Sequence, residues 1–165
     1  MSPRFRAVVV GGTGYGGAEL IRRLLAHPHV ELTRVTSVDQ VGQLVGHVHP
    51  NLEGRTDLRF EDVPPAQAVD GADVALLGLP HDVSLEVVPA IAATGARIVD
   101  MSAAFRLGDA ETYRRRYGRP HPAPELLPEF VYGLPELDRA RIENARFVAN
   151  PGCFATCVQL GLLPF

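Results

Sequence analysis

The chain has 165 residues, of which 46% are hydrophobic and 21% are charged, as in a globular domain, so a largely disordered chain is excluded. All 16 basic residues are arginine, which excludes a P-loop triphosphatase and Schiff-base chemistry, since both need a lysine. The formal net charge of −3 and the single dense basic run, Arg114–Arg116, argue against a nucleic-acid-binding surface.

The first segment of the chain predicts a βαβ unit. Phe5–Val10 is a continuous valine-rich run, which is typical of a strand buried on both faces. The apolar residues of Glu19–Ala26 share one helix face, and Leu32–Ser37 alternates as a second strand. The unit spans about 33 residues, the usual size for this motif.

The rest of the chain continues to alternate strands with helices. Val38–Thr56 has no periodicity and is predicted to be loop, and Ser102–Pro128 to be mostly irregular with one helical turn at Glu111–Tyr117. Strands are predicted at Leu58–Phe60, Ala72–Leu79, Arg97–Asp100 and Arg146–Ala149, and helices at Val83–Ala93, Glu136–Glu143 and from Cys153 onward. This alternation predicts an α/β fold with a doubly wound parallel sheet of the Rossmann type.

A glycine-rich turn, Gly11–Gly17, follows the first strand and opens the first helix, as a dinucleotide-binding turn does. Gly11 permits the tight turn, Gly14 lets the backbone approach a pyrophosphate, and Gly17 lets the helix pack against the strand. The turn supplies six candidate cofactor-binding residues: Gly11, Thr13, Gly14, Tyr15, Gly16 and Gly17.

The end of the second strand bears on which dinucleotide is bound, because the adenosine ribose is expected there. Ser37 occupies this place, and its hydroxyl suits the 2′-phosphate of NADP. Asp39 follows two residues later, and a carboxylate accepts a hydrogen bond from a free 2′-hydroxyl but repels phosphate. The residues at this point favour neither NADP nor NAD.

A second turn, Asn150-Pro151-Gly152-Cys153, follows the last predicted strand and opens the last helix. The first turn of a helix stabilises a thiolate, and the same amides can hold the oxyanion of an attacked carbonyl. Cys153 is therefore predicted to be a nucleophile, and Cys157, one turn further on, a buried structural cysteine. Their four-residue spacing does not match a redox or zinc pair, and no metal site is predicted.

Six motifs occur in order along nearly the whole chain. They are Gly11–Leu20 (GGTGYGGAEL), His49–Leu52 (HPNL), Leu79–His81 followed by Ser84, Asp100–Leu107 (DMSAAFRL), Val131–Leu137 (VYGLPEL) and Asn150–Thr156 (NPGCFAT). With these motifs the chain resembles the N-acetyl-γ-glutamyl-phosphate reductases, a family within the wider semialdehyde dehydrogenase group.

The resemblance implies NADPH-dependent reduction of N-acetyl-γ-glutamyl phosphate to the semialdehyde, in arginine biosynthesis, through a thioester on Cys153. It implies that Asn150 orients the cysteine turn and that Ser102 and Arg106 hold the substrate phosphate. By the same resemblance, Leu79 and Pro80 line the nicotinamide side, and Ser37 and Ser102 also contact the cofactor. His81 is not expected to be catalytic, and His47, His49 and His121 are expected to be structural or at the surface.

Two departures from the family pattern qualify these expectations. Members commonly carry Ser-Arg after the second strand where this chain has Ser37-Val38-Asp39, so NADP is expected with NAD left open. Residues 1–152 are expected to form the NAD(P)-binding domain, and residues 153–165 to begin a catalytic helix that leads into a second domain outside this sequence. The isolated chain is expected to bind nucleotide without turnover, and the full-length protein to form a homo-oligomer.

Three other functions share features with this sequence. A relative from lysine biosynthesis reduces an aminoadipyl phosphate on a carrier protein, and His47–Thr56 fits either branch. A non-catalytic nucleotide-binding fragment also stays open. A short-chain dehydrogenase is excluded because it needs a Tyr-x-x-x-Lys pair and this chain has no lysine.

We expect a small-molecule acyl phosphate as partner, with neither nucleic acid nor membrane. The chain has no apolar run long enough for a signal or a membrane span, so a cytoplasmic location is expected.

Overall fold

Seven strands, all parallel, form one sheet in the computed structural model, which describes residues 5–164. The strands are β1 Phe5–Val10, β2 Val30–Thr36, β3 Phe60–Glu61, β4 Val74–Leu77, β5 Arg97–Asp100, β6 Phe130–Tyr132 and β7 Phe147–Ala149. Their order across the sheet is β3-β2-β1-β4-β5-β7-β6. The order reverses between β1 and β4, and ligands of such sheets bind where the strand order reverses.

Helices connect the strands and cover the sheet. They are α1 Tyr15–Leu25, α2 Val45–Val48, α3 Pro65–Ala68, α4 His81–Ala92, α5 Ala110–Tyr117, α6 Pro135–Asn144 and α7 Cys153–Leu162, with 3-10 turns at Pro50–Leu52 and Pro124–Glu129. The predicted α/β fold with a doubly wound parallel sheet is confirmed.

Two hydrophobic clusters lie on the two faces of the sheet. In β1, Ala7 and Val9 belong to one cluster and Val8 and Val10 to the other, because successive side chains of a strand point to opposite faces. Ile21 of α1 packs in the first cluster, and helix α4 contributes to the second. The valine run of β1 is therefore buried on both sides, as its composition predicts.

The prediction that Val38–Thr56 is entirely loop was wrong, because α2 and the 3-10 turn at Pro50–Leu52 lie within it. Both are four residues or shorter, which is too short to show a helical period in the sequence. Strand β6 lies just beyond the predicted irregular segment and was not foreseen, although its Phe-Val-Tyr composition is typical of a strand. The strand at Arg97–Asp100 has the predicted bounds.

Candidate active site

A cavity of about 750 Å³ opens at the carboxyl ends of β1, β2 and β4, where the strand order reverses. Six of the predicted cofactor-binding residues line it: Gly11, Thr13, Gly14, Ser37, Leu79 and Pro80. A second cavity, of about 1150 Å³, opens at the amino ends of the strands, and none of the predicted site residues is among the described residues that line it. The first cavity is the candidate nucleotide site.

The glycine turn has the close contacts expected of a dinucleotide-binding turn. Gly11 has a φ of +82°, a conformation that favours glycine, and its amide bonds the Thr36 carbonyl at 3.0 Å. A β-carbon on Gly17 would lie 2.5 Å from the Gly11 carbonyl oxygen, so α1 approaches the turn more closely than any side chain allows. A β-carbon on Gly14 would meet nothing within 4 Å, which leaves space beside that backbone for a ligand.

The remaining predicted cofactor residues have different surroundings. The hydroxyls of Thr13 and Ser37 lie 3.1 Å apart and join the glycine turn to the end of β2. The Tyr15 side chain is 99% exposed at the start of α1 and does not line the cavity. An added β-carbon on Gly16 would lie 3.8 Å from Cε of Met101, so the start of α1 faces the loop after β5.

The buried side chain of His49 contacts the backbone of the glycine turn, a role that the sequence motifs did not reveal. Its ring is buried, and Nε2 lies 2.8 Å from the Gly12 carbonyl oxygen. The ring also packs edge-on against Phe60, with 6.0 Å between centroids. Since a trans peptide points its C=O and N–H in opposite directions, holding the Gly12 oxygen fixes the direction of the Thr13 N–H. The prediction that His49 is structural agrees with this buried position.

Asp100, at the end of β5, is the centre of a buried polar network. One carboxylate oxygen accepts hydrogen bonds from the Ser84 hydroxyl at 2.8 Å and from the Ser102 amide at 2.9 Å. The other accepts from the Ser102 hydroxyl at 2.7 Å, and that hydroxyl in turn accepts from the Ala104 amide. The Ser102 hydroxyl therefore donates its hydrogen bond to Asp100 and shapes the loop after β5.

Arg106 joins the loops that follow β5 and β7. Its Nε donates to the Asn150 carbonyl at 2.8 Å, and its Nη2 donates to the Met101 carbonyl at 2.8 Å. A β-carbon on Gly152 would lie 2.9 Å from Arg106 Nη1, so the guanidinium lies directly against the turn that precedes α7. The predicted phosphate-binding arginine thus lies beside the cysteine turn with two of its five N–H groups engaged.

Cys153 is the first residue of α7 and its side chain is exposed. Asn150, at the end of β7, donates through Nδ2 to the Pro151 carbonyl at 3.0 Å within the same turn. The prediction that Cys157 is buried was wrong: it is exposed, because no residue of α7 is buried. The apolar composition of this helix suggested burial that the described chain does not provide.

His81 begins α4 beside two tyrosines. Its Nε2 lies 3.0 Å from the hydroxyl of the fully buried Tyr113, and its ring contacts Tyr117 at a tilt of 31°, with 4.8 Å between centroids. Burial raises the pKa of Tyr113 above its ordinary value, so the phenol stays protonated. Asp82, the next residue, pairs with Arg119, which holds the pKa of that carboxyl below its usual range. This cluster fixes the start of α4 near the cavity.

His121 is buried away from the cavity. Its Nδ1 accepts a hydrogen bond from the Ala123 amide at 3.0 Å, so Nε2 carries the proton and donates to the Ala104 carbonyl at 3.2 Å. Burial lowers the pKa of His121 below its ordinary value, because a charged ring would lack water. The prediction that His121 is structural agrees with these bonds.

Within residues 5–164 no helix has the length and apolar character required to cross a membrane. Nor do histidine, cysteine, aspartate and glutamate side chains gather in threes at any point of that range where a metal ion could be held.

Comparison with known proteins gives a family for most of the chain. A family model described as the NAD-binding domain of semialdehyde dehydrogenase matches residues 6–145. A curated protein of Nitrosococcus oceani named N-acetyl-gamma-glutamyl-phosphate reductase is 49% identical over 96% of this chain and 46% of its own length. One of Pseudomonas aeruginosa with the same name is 47% identical over 94% of this chain and 45% of its own. The chain spans about half the length of the curated relatives it matches.

Solved structures share the fold. Aspartate semialdehyde dehydrogenase II of Vibrio cholerae superposes with a TM-score of 0.68 at 18% identity, over 98% of this chain and 46% of that one. The aspartate semialdehyde dehydrogenase of Candida albicans, solved with NADP, gives 0.65 at 16% identity, over 98% of this chain and 46% of that one. At this identity the likeness concerns the fold alone.

Proposed function

The chain belongs to the semialdehyde dehydrogenase family, as its NAD-binding domain, and on this premise we propose that it is the nucleotide-binding and nucleophile-bearing half of an acyl-phosphate reductase. The resemblance to N-acetyl-γ-glutamyl-phosphate reductases inferred from the motifs is confirmed by the curated relatives. The proposed substrate is therefore N-acetyl-γ-glutamyl phosphate, which would be reduced to the semialdehyde in arginine biosynthesis. The observation that carries the proposal is an exposed Cys153 at a helix N-terminus, on the sheet edge that also bears the nucleotide cavity.

The glycine turn and the cavity support the nucleotide part of the proposal. The open space beside Gly14 would take the pyrophosphate, whose charge the first amides of α1 stabilise. Leu79 and Pro80 line the same cavity after β4 and would hold the nicotinamide side. A bound reduced nicotinamide dinucleotide supplies a hydride, and the residues around it fix its position.

Cys153 would carry the covalent step. Its thiolate attacks the acyl carbon of the acyl phosphate, the bond to the phosphate oxygen breaks, and inorganic phosphate leaves. The amides at the start of α7 would stabilise both the thiolate before attack and the oxyanion during it. When the thioester carbon receives a hydride, its bond to sulfur breaks, which releases the aldehyde and restores the thiolate.

Arg106 and Ser102 would contribute differently to the departing phosphate. Arg106 keeps three N–H groups free of the two carbonyls it bonds, and Nη1 lies against Gly152, next to the nucleophile. A guanidinium in this place suits a phosphate leaving from the Cys153 carbon. Because the Ser102 hydroxyl donates its hydrogen bond to Asp100, we propose that Ser102 acts mainly by shaping the loop that carries Arg106.

The family domain implies NAD or NADP as cofactor. The sequence resemblance favours NADP, and Asp39 leaves NAD open. The aminoadipyl branch is less favoured, since curated relatives at 47–49% identity are named for the glutamyl substrate.

The test is the intact mass of the chain after incubation with N-acetyl-γ-glutamyl phosphate in the absence of nicotinamide cofactor. An added N-acetylglutamyl group is expected on the wild type, and Cys153→Ser should abolish it. Cys157→Ser is the matched control, because both thiols are exposed on the same helix, and it should keep the adduct. An adduct that persists in Cys153→Ser, or one that Cys157→Ser loses, would contradict Cys153 as the nucleophile of this chain.

A further inference from the structure

We propose that the adenosine end of the cavity selects NAD(H) over NADP(H). This inference rests on the proposed nucleotide site and concerns the part of the cavity that follows β2 and β3. The two dinucleotides differ there by a single phosphate on the adenosine ribose, so the charge of the lining decides between them.

The cavity lining at this end is acidic. Asp39 lies after β2, Glu61 is the last residue of β3, and Asp62 lies just after it. All three line the cavity. No arginine or histidine is found among the lining residues of the described chain. A phosphate carries about two negative charges, so placing it against these carboxylates is unfavourable, whereas a free 2′-hydroxyl can donate to one of them.

The two arginines nearest to this lining in the sequence, Arg34 and Arg59, are already hydrogen-bonded within the chain. Arg34 donates through Nε to Glu61 at 3.1 Å and through Nη1 to the Gln67 and Ala68 carbonyls at 3.0 Å. Arg59 donates through Nη1 to the Gly42 carbonyl at 2.8 Å. Arg34 thus offsets the charge of Glu61, and Asp39 and Asp62 keep theirs.

Ser37 is already used inside the turn. Its buried hydroxyl oxygen accepts the Asp39 amide at 3.1 Å and lies 3.1 Å from the Thr13 hydroxyl. These bonds hold the Asp39 backbone over the end of β2, and its carboxylate has no partner in the described part of the chain. The Asp39 carboxylate is therefore placed to accept a hydrogen bond from the ribose hydroxyl. Ser37 acts by positioning Asp39.

The experiment measures the dissociation constants of NADH and NADPH for the same chain by nicotinamide fluorescence at one fixed salt concentration. We expect NADH to bind at least about tenfold more tightly than NADPH, a ratio that corresponds to about 1.4 kcal/mol. Asp39→Asn keeps the shape and removes the charge, so it should reduce this ratio about fivefold or more. Asp57→Asn, an exposed aspartate outside the cavity, is the matched control and should leave the ratio unchanged.

The outcomes separate this inference from the proposed function. Equal or tighter binding of NADPH by the wild type would overturn the inference and leave the nucleotide site intact. An unchanged ratio in Asp39→Asn would overturn the assignment to Asp39. If neither dinucleotide bound, the nucleotide site itself would be refuted, and the inference with it. Should the variant not fold, the wild-type ratio alone decides.

Discussion

Replacing Gly17 with alanine is the most direct test of how α1 meets the glycine turn. The added β-carbon would lie 2.5 Å from the Gly11 carbonyl oxygen and 2.6 and 2.7 Å from the carbonyl carbon and Cα of Gly12. Ordinary contact begins at 3.4 Å, so the shortest contact is 0.9 Å (3.4 minus 2.5) too close. All three atoms are backbone, which cannot rotate away, so the helix or the turn must move.

The size of the effect follows from these contacts. Overpacking a tight site costs roughly 1–3 kcal/mol, and three backbone clashes place Gly17→Ala at the upper end. Alanine returns up to about 1 kcal/mol through its better helix propensity. We therefore expect a net loss of about 2 kcal/mol in the free energy of unfolding. For a chain of this length that corresponds to a fall in Tm of about 4–8 °C.

Urea unfolding without ligand measures the loss, and Gly16→Ala is the matched control. A β-carbon on Gly16 would meet only Met101 Cε, at 3.8 Å, which is ordinary contact. The same substitution one residue earlier should therefore be neutral or raise stability by up to about 1 kcal/mol. A Gly17→Ala chain as stable as the wild type, or both variants changing alike, would refute the close approach of α1 to the turn.

Three further variants test buried polar contacts. His49→Phe keeps a ring but leaves the Gly12 carbonyl without its donor. The free energy of unfolding should therefore fall by about 1–3 kcal/mol, and NADH should bind more weakly. Unchanged NADH affinity would show that the turn does not need the bond. Burial lowers the pKa of His121 from 6.5, so as the pH falls this histidine is protonated in the unfolded chain before it is protonated in the folded one. The contribution of His121 to the free energy of unfolding is therefore complete above about pH 6.5 and decreases as the pH drops below it. His121→Gln should flatten that slope in urea titrations between about pH 5 and 7.5, and an identical slope would contradict the assignment. Ser84→Ala removes a hydroxyl that donates to the buried Asp100 and should lower the free energy of unfolding by about 1.5–3 kcal/mol, whereas a chain of wild-type stability would show that Asp100 is satisfied without it.

Much of the fold could be predicted because several elements carry their own signal. The valine run of β1 is continuously apolar, as a strand buried on both faces requires, and the apolar residues of α1 repeat with the helical period. Arg97–Asp100 is a short strand with two apolar residues between two charged ones, and its predicted bounds match. By contrast, α2 is a single turn held by tertiary contacts, and one turn has no period to detect.

The sequence predicts which residues form the candidate site better than it predicts the hydrogen bonds that they make. The glycine turn and Asn150-Pro151-Gly152-Cys153 follow strands directly, so parallel strands bring both to one edge. The hydrogen bond from Ser102 to Asp100 and the bonds from Arg106 to two backbone carbonyls depend on side-chain rotamers and loop paths. Local sequence does not specify such contacts. The functional roles assigned to these residues remain predictions.

The exposure of α7 has a kinetic consequence for its first residue. In the described part of the chain none of the ten residues of α7 is buried, so packing contributes little to holding its turns closed. The amides that would hold a thiolate converge on Cys153 only while the first turn is wound. The position of the Cys153 side chain at these amides therefore lasts only as long as that turn is formed. Amide hydrogen exchange along α7 and the alkylation rate of Cys153 would then change together.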